Sequence, residues 1–450
     1  MKKYLIIIII AIINTSFLFG QNYPAGYYNL IRSYSDEFNS PYMKTSLWKY
    51  NWATYAEETV FDTINNVKYG QSPSLPIGSK VCKIISNYVN PPIAGNYWNS
   101  EEEKVDTAYA NVVCGQIMSI PHFKYGYYEV KARMPNTNAY ICPAFWLTGY
   151  NATQNKYTEI DIFENHSGIN YHNYWLFFLH YGSMENKYQF NEFYFPEDIG
   201  KHICDKLFHN EYKTNCDLTS NFHTFGMEWQ PEYINFYLDG NLFRQFTTIV
   251  KNGDNNTRIP VSNMDIPMTL IFWTKRGCDH RPFHDPNPSG EAFEIDYFRY
   301  YKRKPILTNA FYNSSSNSIT LVVNTNNPED TYYWIPSNNL TINGPRNLNT
   351  VNISLSSVYN ETSITVKATG TNPPATSSNI FIFQQSSGNI CTIPYQNNIY
   401  VANNINAPCS GCTSTIIPSG KNIIFVSENE INLNPGFEVQ LGATFEAFTH

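Results

Sequence analysis

Charged residues are scarce in this chain, and positive charge is not in excess. Only 15% of the 450 residues are Asp, Glu, Lys or Arg, and 30 basic against 37 acidic residues give a net charge of -7. A nucleic-acid-binding domain normally presents a basic face, so this balance argues against a nucleic-acid partner. Long apolar runs are also missing after the first 20 residues, which argues against a membrane-spanning helix there.

The first 20 residues have the pattern of an export signal. Lys2 and Lys3 precede an apolar run over 5–13, and the small residue Gly20 follows. This run is too short to cross a membrane comfortably, so a cleaved signal is favoured over an anchor. We therefore expect a protein that is secreted or held at the cell surface, with no membrane span once residues 1–20 are removed.

Helical periodicity is hard to find, whereas alternation with a period of two recurs. The segments 129–133 (EVKAR) and 233–238 (YINFYL) alternate in the manner of half-buried strands. Asp239-Gly240 follows the second segment directly and is a strong hairpin-turn signal. Repeated strands, turn punctuation and few helices predict an all-β protein built on a β-sandwich.

Composition divides the rest of the chain into three units. Residues 21–304 are rich in strand signals and end in a basic cluster before Pro305. Residues 305–386 are rich in Asn, Ser and Thr, with a Trp in an early-middle strand, which suits a small immunoglobulin-like sandwich. Residues 387–450 carry short, evenly spaced β runs, which predict a small stacked-β module. Neither C-terminal unit has clustered acid, base or nucleophile residues, so both are interpreted as accessory modules.

Nine cysteines permit disulfides in an exported chain and leave at least one thiol over. Cys204 and Cys216 are spaced for a loop disulfide, and Cys409 and Cys412 for a very tight one. A Cys-x-x-Cys pair can also bind zinc, but no second pair stands at zinc spacing, which argues against a metal there.

Three carboxylates lie within six residues in the segment 159–164 (EIDIFE). Glu159 and Asp161 are two positions apart and share one face of a strand, whereas the odd offset of Glu164 would send it into the core. A buried, unpaired carboxylate is costly. The spacing therefore predicts a β-bulge between Asp161 and Glu164, which would return Glu164 to the carboxylate face.

Crowding of three like charges is unfavourable, which argues against a purely structural origin for this segment. Retaining glycosidases use two carboxyl groups about 5–5.5 Å apart, one as nucleophile and the other as acid and then base. On a flat strand the two glutamates would stand roughly 13 Å apart, so a bulge and a curved sheet must bring them together. Taken alone, the segment also suits a solvated acidic edge strand or a calcium site.

Further motifs, in a fixed order along residues 21–304, resemble glycoside hydrolase family 16. They are 36–39 (DEFN), 125–135 (YGYYEVKARMP), 143–147 (PAFWL), 159–164 (EIDIFE), 222–229 (FHTFGMEW) and 293–297 (FEIDY). The resemblance implies a concanavalin-like jelly-roll β-sandwich with an open glycan cleft. By position it also implies that Glu159 is the nucleophile, Glu164 the acid/base and Asp161 the assisting carboxylate.

The same resemblance implies roles outside the acidic segment. Trp146 would floor the cleft and His180 would lie beside it, with core packing and a structural role as the respective alternatives. Asp296 and Glu37 match positions that hold a structural calcium in many members, and ordinary surface hydrogen bonding is the alternative for both.

Two departures from laminarinase-like members concern the substrate. Cys142 stands where those enzymes usually carry a Trp, and 272–276 (FWTKR) replaces a small Gly-containing stretch. Trp273 is therefore a candidate for stacking on sugar. Lys275 and Arg276 are candidates for contact with an anionic sugar, with a solvated loop as the alternative.

Together these features predict a secreted, retaining endo-β-glycanase that acts on a β-1,3-glucan or a marine galactan. We expect a monomer whose partner is the polysaccharide. Catalysis should need no cofactor, and whether the protein binds a structural calcium stays open. Two alternatives stay open. A non-catalytic glycan-binding protein on the same fold would have no need to keep three crowded carboxylates, and a transglycosylase would share the nucleophile.

Overall fold

The computed structural model describes residues 27–50, 54–56, 59–61, 63–99, 104–136, 141–165, 175, 177–182, 191–193, 217–251, 254–276, 289–337, 340–355, 361–370, 375–384, 388–393 and 398–449. The predicted signal at 1–20 lies outside these residues. So do the predicted disulfide partners Cys204 and Cys216, and the side chain of Arg276.

Up to Arg303, the described residues form twenty strands, which are β1 (Tyr28–Leu30), β2 (Trp48–Tyr50), β3 (Thr54–Ala56), β4 (Thr59–Phe61), β5 (Val67–Gln71), β6 (Lys80–Asn99), β7 (Lys104–Cys114), β8 (Gln116–Phe123), β9 (Gly126–Arg133), β10 (Ile141–Asn151), β11 (Lys156–Glu164), β12 (Phe178–Gly182), β13 (Asn191–Phe193), β14 (His223–Trp229), β15 (Ile234–Leu238), β16 (Asn241–Phe246), β17 (Thr248–Lys251), β18 (Asp254–Pro260), β19 (Met268–Arg276) and β20 (Ser289–Arg303). Helical structure in the same part of the chain comprises the four-residue α1 (Thr63–Asn66) and the 3-10 turns Arg32–Tyr34 and Val261–Asn263. Nowhere in the described chain is a helix long and apolar enough to cross a membrane. The prediction of an all-β fold is confirmed.

Two large sheets form the sandwich. The first has the order β16-β15-β14-β9-β20-β6-β3-β4-β7, with β1 added on β20 and β5 on β6. The second has the order β13-β12-β11-β10-β19-β8-β2. β17 and β18 pair separately as a hairpin. The predicted jelly-roll sandwich is confirmed, and the acidic strand β11 lies inside the second sheet rather than at its edge.

Aromatic side chains join the two sheets through one core. On the second sheet, Phe145 of β10 stacks on Phe272 of β19 with ring centroids 4.4 Å apart. Both rings meet Phe298 of β20 on the first sheet edge-to-face, at 5.7 and 5.9 Å. Phe163 of β11 meets Phe293 of β20 in the same way at 5.6 Å. The strands that carry the acidic segment are therefore held from behind by rings of the opposite sheet.

The period-two patterns of the sequence form the strands expected of them. In β9 the side chains of Tyr128, Val130 and Ala132 are buried in the core. β15 and β16 are joined by Asp239 and Gly240 at φ values of 50° and 79°. Two successive positive φ values are the requirement of a type I′ hairpin turn, and Asp-Gly meets it with little strain.

The C-terminal part contains twelve strands within the described residues, which are β21 (Ile306–Asn313), β22 (Ser318–Asn324), β23 (Thr331–Pro336), β24 (Thr341–Ile342), β25 (Thr350–Ser354), β26 (Glu361–Thr369), β27 (Thr376–Gln384), β28 (Asn398–Ala407), β29 (Thr415–Ile417), β30 (Asn422–Leu433), β31 (Phe437–Val439) and β32 (Thr444–Thr449). They form a sheet of order β21-β22-β25-β24, a sheet of order β23-β26-β27-β28-β30-β32, and the pair β29-β31. The buried Trp334 of β23 lies in the core between the two larger sheets.

The six-stranded sheet runs across residue 386, where the composition changes. β27 pairs with β28 in parallel, and β28, β30 and β32 continue in parallel. The side chains of Ile399, Val401 and Val426 complete the core around Trp334. Residues on both sides of this point thus share a sheet and a core, while the unit boundaries at 304 and 386 stay predictions.

Three cysteines of the C-terminal part lie together. The Sγ atom of Cys391 is within bonding distance of both Cys409 and Cys412, and a cysteine forms one disulfide at a time. Cys409 and Cys412, the pair expected from the sequence, have their Sγ atoms 3.2 Å apart. Cys82 and Cys114 are buried free thiols in the first sheet.

A buried ion pair joins the sandwich to the C-terminal part. The Nζ of Lys302 on β20 lies 3.0 Å from Oδ1 of Asp330, and the two side chains are 5% and 0% exposed. Asn327 donates a further hydrogen bond to the same oxygen at 2.9 Å. Close by, Lys124 pairs with Glu329 at 2.6 Å, but 46% of the Glu329 side chain is exposed.

The Lys302→Met variant should destabilise this junction, because Asp330 would stay buried without its cation. We expect the free energy of unfolding to fall by about 3–5 kcal/mol. Lys124→Met, which breaks the exposed pair, should cost less than about 1 kcal/mol. Urea denaturation followed by tryptophan fluorescence measures both, and equal effects of the two variants would contradict the assignment.

Candidate active site

A bulge in β11 determines where the three carboxylates of the acidic segment point. Asp161 pairs with Trp146 of β10 and Phe163 pairs with Phe145, so Ile162 is an extra residue without a partner on β10. Beyond the bulge, Glu164 pairs with Ala144. The bulge predicted between Asp161 and Glu164 is confirmed.

As a consequence of the bulge, the apolar side chains of β11 lie on the core face and its glutamates lie on the opposite face. Ile160, Ile162 and Phe163 are fully buried in the core. Glu159 and Glu164 keep 19% and 21% of their side chains exposed on the other face. The register pairs Glu159 with Thr148 and Glu164 with Ala144, so six residues of β11 lie opposite five residues of β10.

Hydrogen-bond donors surround Glu159 and Asp161. The hydroxyl of Tyr157, two residues earlier on the same face, donates to Oε2 of Glu159. His180 of β12 is directly opposite Glu159 in the register. Its Nε2 lies 3.0 Å from Oδ2 of Asp161 and 3.6 Å from Oε1 of Glu159. The structure thus brings His180 into contact with the two carboxylates, and it adds Tyr157, which the sequence reading missed.

The environment favours proton uptake by these carboxyl groups. Burial raises the pKa of Glu159, and the nearby charge of Asp161 raises it further, while His180 and the Tyr157 hydroxyl oppose the shift. Burial likewise raises the pKa of Asp161, against the hydrogen bond from His180. Glu159 and Asp161 are therefore poised to share protons closer to neutral pH than free carboxylic acids do.

Glu164 has a cationic partner. The Nζ of Lys275 on β19 lies 2.7 Å from Oε1 of Glu164, and only 8% of the Lys275 side chain is exposed. Lys275 pairs with Cys142 of β10 in the register, and Cys142 is buried and disulfide-bonded. From the sequence, Lys275 was a candidate for contact with an anionic sugar, with a solvated loop as the alternative. The solvated loop is wrong for Lys275, because this residue is buried in β19. The pair with Glu164 was not predicted, because strand order across the sheet is not visible in a linear motif.

Two tryptophans lie beside the carboxylates on the same face. Trp146 is partly exposed and its ring centroid is 4.7 Å from that of Trp273, while the neighbouring Phe145 points into the core. Trp273 also stacks on Phe61 of β4, 5.2 Å away and almost parallel. The indole N–H groups of Trp146 and Trp273 have no hydrogen-bond partner within the described residues. Both predicted sugar-binding tryptophans thus reach the acidic face, and Trp273 has one ring face covered.

The predicted calcium residues lie elsewhere, each with its own cation. Glu37 forms a bidentate pair with Arg299 at 2.8 Å for both bonds. Asp296 pairs with Lys131 at 2.8 Å. Neither carboxylate belongs to a group of three potential metal ligands among the described residues. Calcium at Glu37 and Asp296 stays a prediction.

Two other groups of side chains have the spacing of metal ligands, namely Glu159 with Asp161 and His180, and the three cysteines 391, 409 and 412. In the first group the polar atoms already bond to one another and to Tyr157. In the second, disulfide formation competes for the thiols. We assign a metal to neither group.

Comparison with known proteins agrees with this geometry. Residues 94–299 match the family model of glycosyl hydrolases family 16. A β-glucanase of Acetivibrio thermocellus is 31% identical over 189 residues, which are 42% of this chain and 45% of that protein. A β-glucanase of Paenibacillus polymyxa is 30% identical over 190 residues, 42% of this chain and 63% of that protein. The chain thus spans less than two thirds of the length of these relatives.

Solved structures with similar folds include a β-porphyranase of Bacteroides plebeius, at 18% identity and a TM-score of 0.44, covering 62% of this chain and 94% of that one. They also include the κ-carrageenase of Pseudoalteromonas carrageenovora, at 18% identity and a TM-score of 0.42, covering 64% and 99%.

The family match and the β-glucanase relatives indicate a glycoside hydrolase domain in this part of the chain. The particular family is the one whose model matches residues 94–299, glycosyl hydrolases family 16, and the match is to this part of the chain.

The Tyr157→Phe variant should raise the pKa of Glu159 further, because it removes a hydrogen bond to the ionised carboxylate. The loss of such a bond corresponds to about one pKa unit. Titration of 13C-labelled glutamate carboxyls, assigned with Glu159→Gln, measures the change. Tyr150→Phe is the matched control, because that exposed hydroxyl bonds only to Asn155 among the described residues. An unchanged midpoint in Tyr157→Phe would show that the hydroxyl does not act on Glu159.

Proposed function

We propose that this protein hydrolyses internal β-glycosidic bonds of a polysaccharide with retention of configuration. The observation that carries the proposal is the bulge at Ile162, which puts Glu159, Asp161 and Glu164 on one face of the second sheet. A structural strand has no use for three carboxylates held together against their repulsion, whereas retaining hydrolysis needs two of them.

In the first step, the Glu159 carboxylate attacks the anomeric carbon while Glu164 gives its proton to the leaving sugar oxygen. The glycosidic bond breaks, and an ester bond joins the sugar to Glu159. In the second step, Glu164 takes a proton from water as the water oxygen attacks the same carbon, and the ester bond breaks. Two inversions leave the β configuration unchanged, and both carboxyl groups return to their starting state.

Asp161, Tyr157 and His180 support the nucleophile in this proposal. Tyr157 donates to Glu159 and favours its ionised form, which must be populated before attack. His180 contacts both Glu159 and Asp161, so it fixes their side chains and offsets part of their repulsion. Asp161 itself is only 5% exposed, which suits a group that acts on its neighbours rather than on sugar.

Trp146 and Trp273 supply the sugar-binding surface beside the carboxylates. Flat rings stack on the apolar faces of sugars, and Trp146 is partly exposed next to Asp161 in the register. The indole N–H groups of both side chains are buried, so the exposed ring surface rather than these donors is what the tryptophans offer to a sugar.

The substrate class is a β-1,3-glucan or a marine galactan. The curated relatives at 30–31% identity are β-glucanases, which favours a β-glucan. The Glu-x-Asp-x-x-Glu spacing of the acidic segment resembles that of laminarinases, agarases and carrageenases. Marine galactans are therefore tested as substrates as well. Reducing-sugar release from laminarin, mixed-linkage glucan, agarose, porphyran and carrageenan decides between them.

The remaining parts of the proposal concern the protein as a whole. We propose an exported monomer with a catalytic unit at 21–304, an immunoglobulin-like module at 305–386 and a stacked-β module at 387–450. Its partner is the polysaccharide, and catalysis needs no cofactor in the steps above. A structural calcium at Glu37 and Asp296 would raise the melting temperature on addition of Ca²⁺.

Glu159→Ala and Glu164→Ala should each reduce polysaccharide hydrolysis about 100-fold or more without unfolding the protein. On an aryl oligosaccharide, whose leaving group needs no acid, azide should restore turnover in both variants. Azide replaces the nucleophile in Glu159→Ala and gives the inverted glycosyl azide. It replaces the attacking water in Glu164→Ala and gives the retained one.

Glu446→Ala, on an exposed position of β32, is the control and should keep wild-type activity. Full activity in either active-site variant would contradict the catalytic role assigned to that residue. Binding of polysaccharide without any release of reducing sugar would favour a glycan-binding protein, and longer products than substrates would favour a transglycosylase.

A further inference from the structure

Lys275 is a buried cation in contact with the group proposed as acid/base. Its side chain is 8% exposed, and its Nζ lies 2.7 Å from Oε1 of Glu164 and 5.3 Å from the centre of the Trp273 ring. Buried lysines are rare and are normally paired, so an ammonium at this place has a cost that the ion pair must offset. This cost argues for a specific role.

The sheet geometry explains how the two side chains meet. Lys275 is on β19 and Glu164 on β11, with β10 between them. The residue of β10 that pairs with Glu164 is Ala144, which also pairs with Trp273. A methyl side chain at this position leaves the face open, so the long Lys275 side chain can cross over β10 to the carboxylate.

The other ionisable groups around Glu164 are two carboxyl groups and one imidazole. Asp161 and Glu159 are on its own strand, and His180 faces them from β12. β10 contributes Ala144 and Trp146, which do not titrate, and the disulfide-bonded Cys142. Lys275 is the lysine that the described part of the chain places in contact with this carboxylate.

We propose that Lys275 is a positioning residue for the acid/base, which holds Glu164 towards the leaving oxygen and stabilises its carboxylate after the proton has been given. This inference rests on the function proposed above. The carboxylate is the product form of the first step and the working form of the second. Lys275 therefore supports the hydrolysis of the glycosyl-enzyme ester more than its formation.

The test compares Lys275→Met with the wild-type full chain on the polysaccharide that the wild type hydrolyses, with laminarin tried first. We expect kcat to fall about 10- to 100-fold, because the base is less well held in the second step. KM should fall as well, because the ester intermediate accumulates. Rapid acid quench and mass spectrometry should find a larger fraction of enzyme with a glycan on the peptide that contains Glu159.

Two further variants make the result specific. Lys275→Arg keeps the charge and should restore most of kcat and the low wild-type level of intermediate. Lys83→Met breaks a lysine pair with Glu294 on the other sheet and should leave both unchanged. Lys275→Gln is a second neutral variant if the methionine packs poorly.

A raised KM at unchanged kcat would make Lys275 a sugar-binding residue and overturn the proposal. A fall in kcat without accumulated intermediate would overturn it too. If both neutral variants fail to fold while Lys275→Arg folds, the role is structural and the proposal is wrong. If the wild type neither hydrolyses any polysaccharide of the panel nor forms an ester on Glu159, it is the proposed function that fails, independently of Lys275.

Discussion

The position of one extra residue, Ile162, controls the chemistry of this protein. Without it, regular alternation would point Glu164 into the core, where a carboxylate would lose its hydration among aromatic rings. With it, Ile162 and Phe163 both enter the core, and Glu164 emerges beside Asp161. A bulge disrupts the local ladder, so it persists only where the surrounding packing holds it.

That packing comes from the opposite sheet. Phe163 lies against Phe293, and its partner on β10, Phe145, lies against Phe298, so rings from β20 hold both strands directly after the bulge. Close-packed interiors tolerate little displacement, and a shift of the bulge by one residue would break these contacts. The packed core therefore determines which side chains of β11 are buried and which lie on the opposite face.

The charges of the site are balanced from neighbouring strands rather than from β11 itself. Tyr157 donates to Glu159, His180 of β12 faces Glu159 and Asp161, and Lys275 reaches Glu164 from β19. Three crowded carboxylates would otherwise repel one another and retain protons. Tyr157 and His180 contact Glu159, whereas Lys275 contacts Glu164, so two chemically similar glutamates have different environments.

The all-β class, the Asp239-Gly240 hairpin and the bulge followed from the sequence alone, because alternation, turn chemistry and the offset between Asp161 and Glu164 are local properties. Trp146 could be placed on the carboxylate face for the same reason, since Phe145 takes the opposite side. The ion pair of Lys275 with Glu164 could not be predicted, because it depends on β19 and β11 being neighbours of the same strand and on the small Ala144 between them. Likewise, the change in composition at residue 386 predicted a boundary there, so the sequence did not indicate that one sheet continues across this point. Local geometry is encoded in short segments, whereas contacts between distant strands are decided only when the whole sandwich packs.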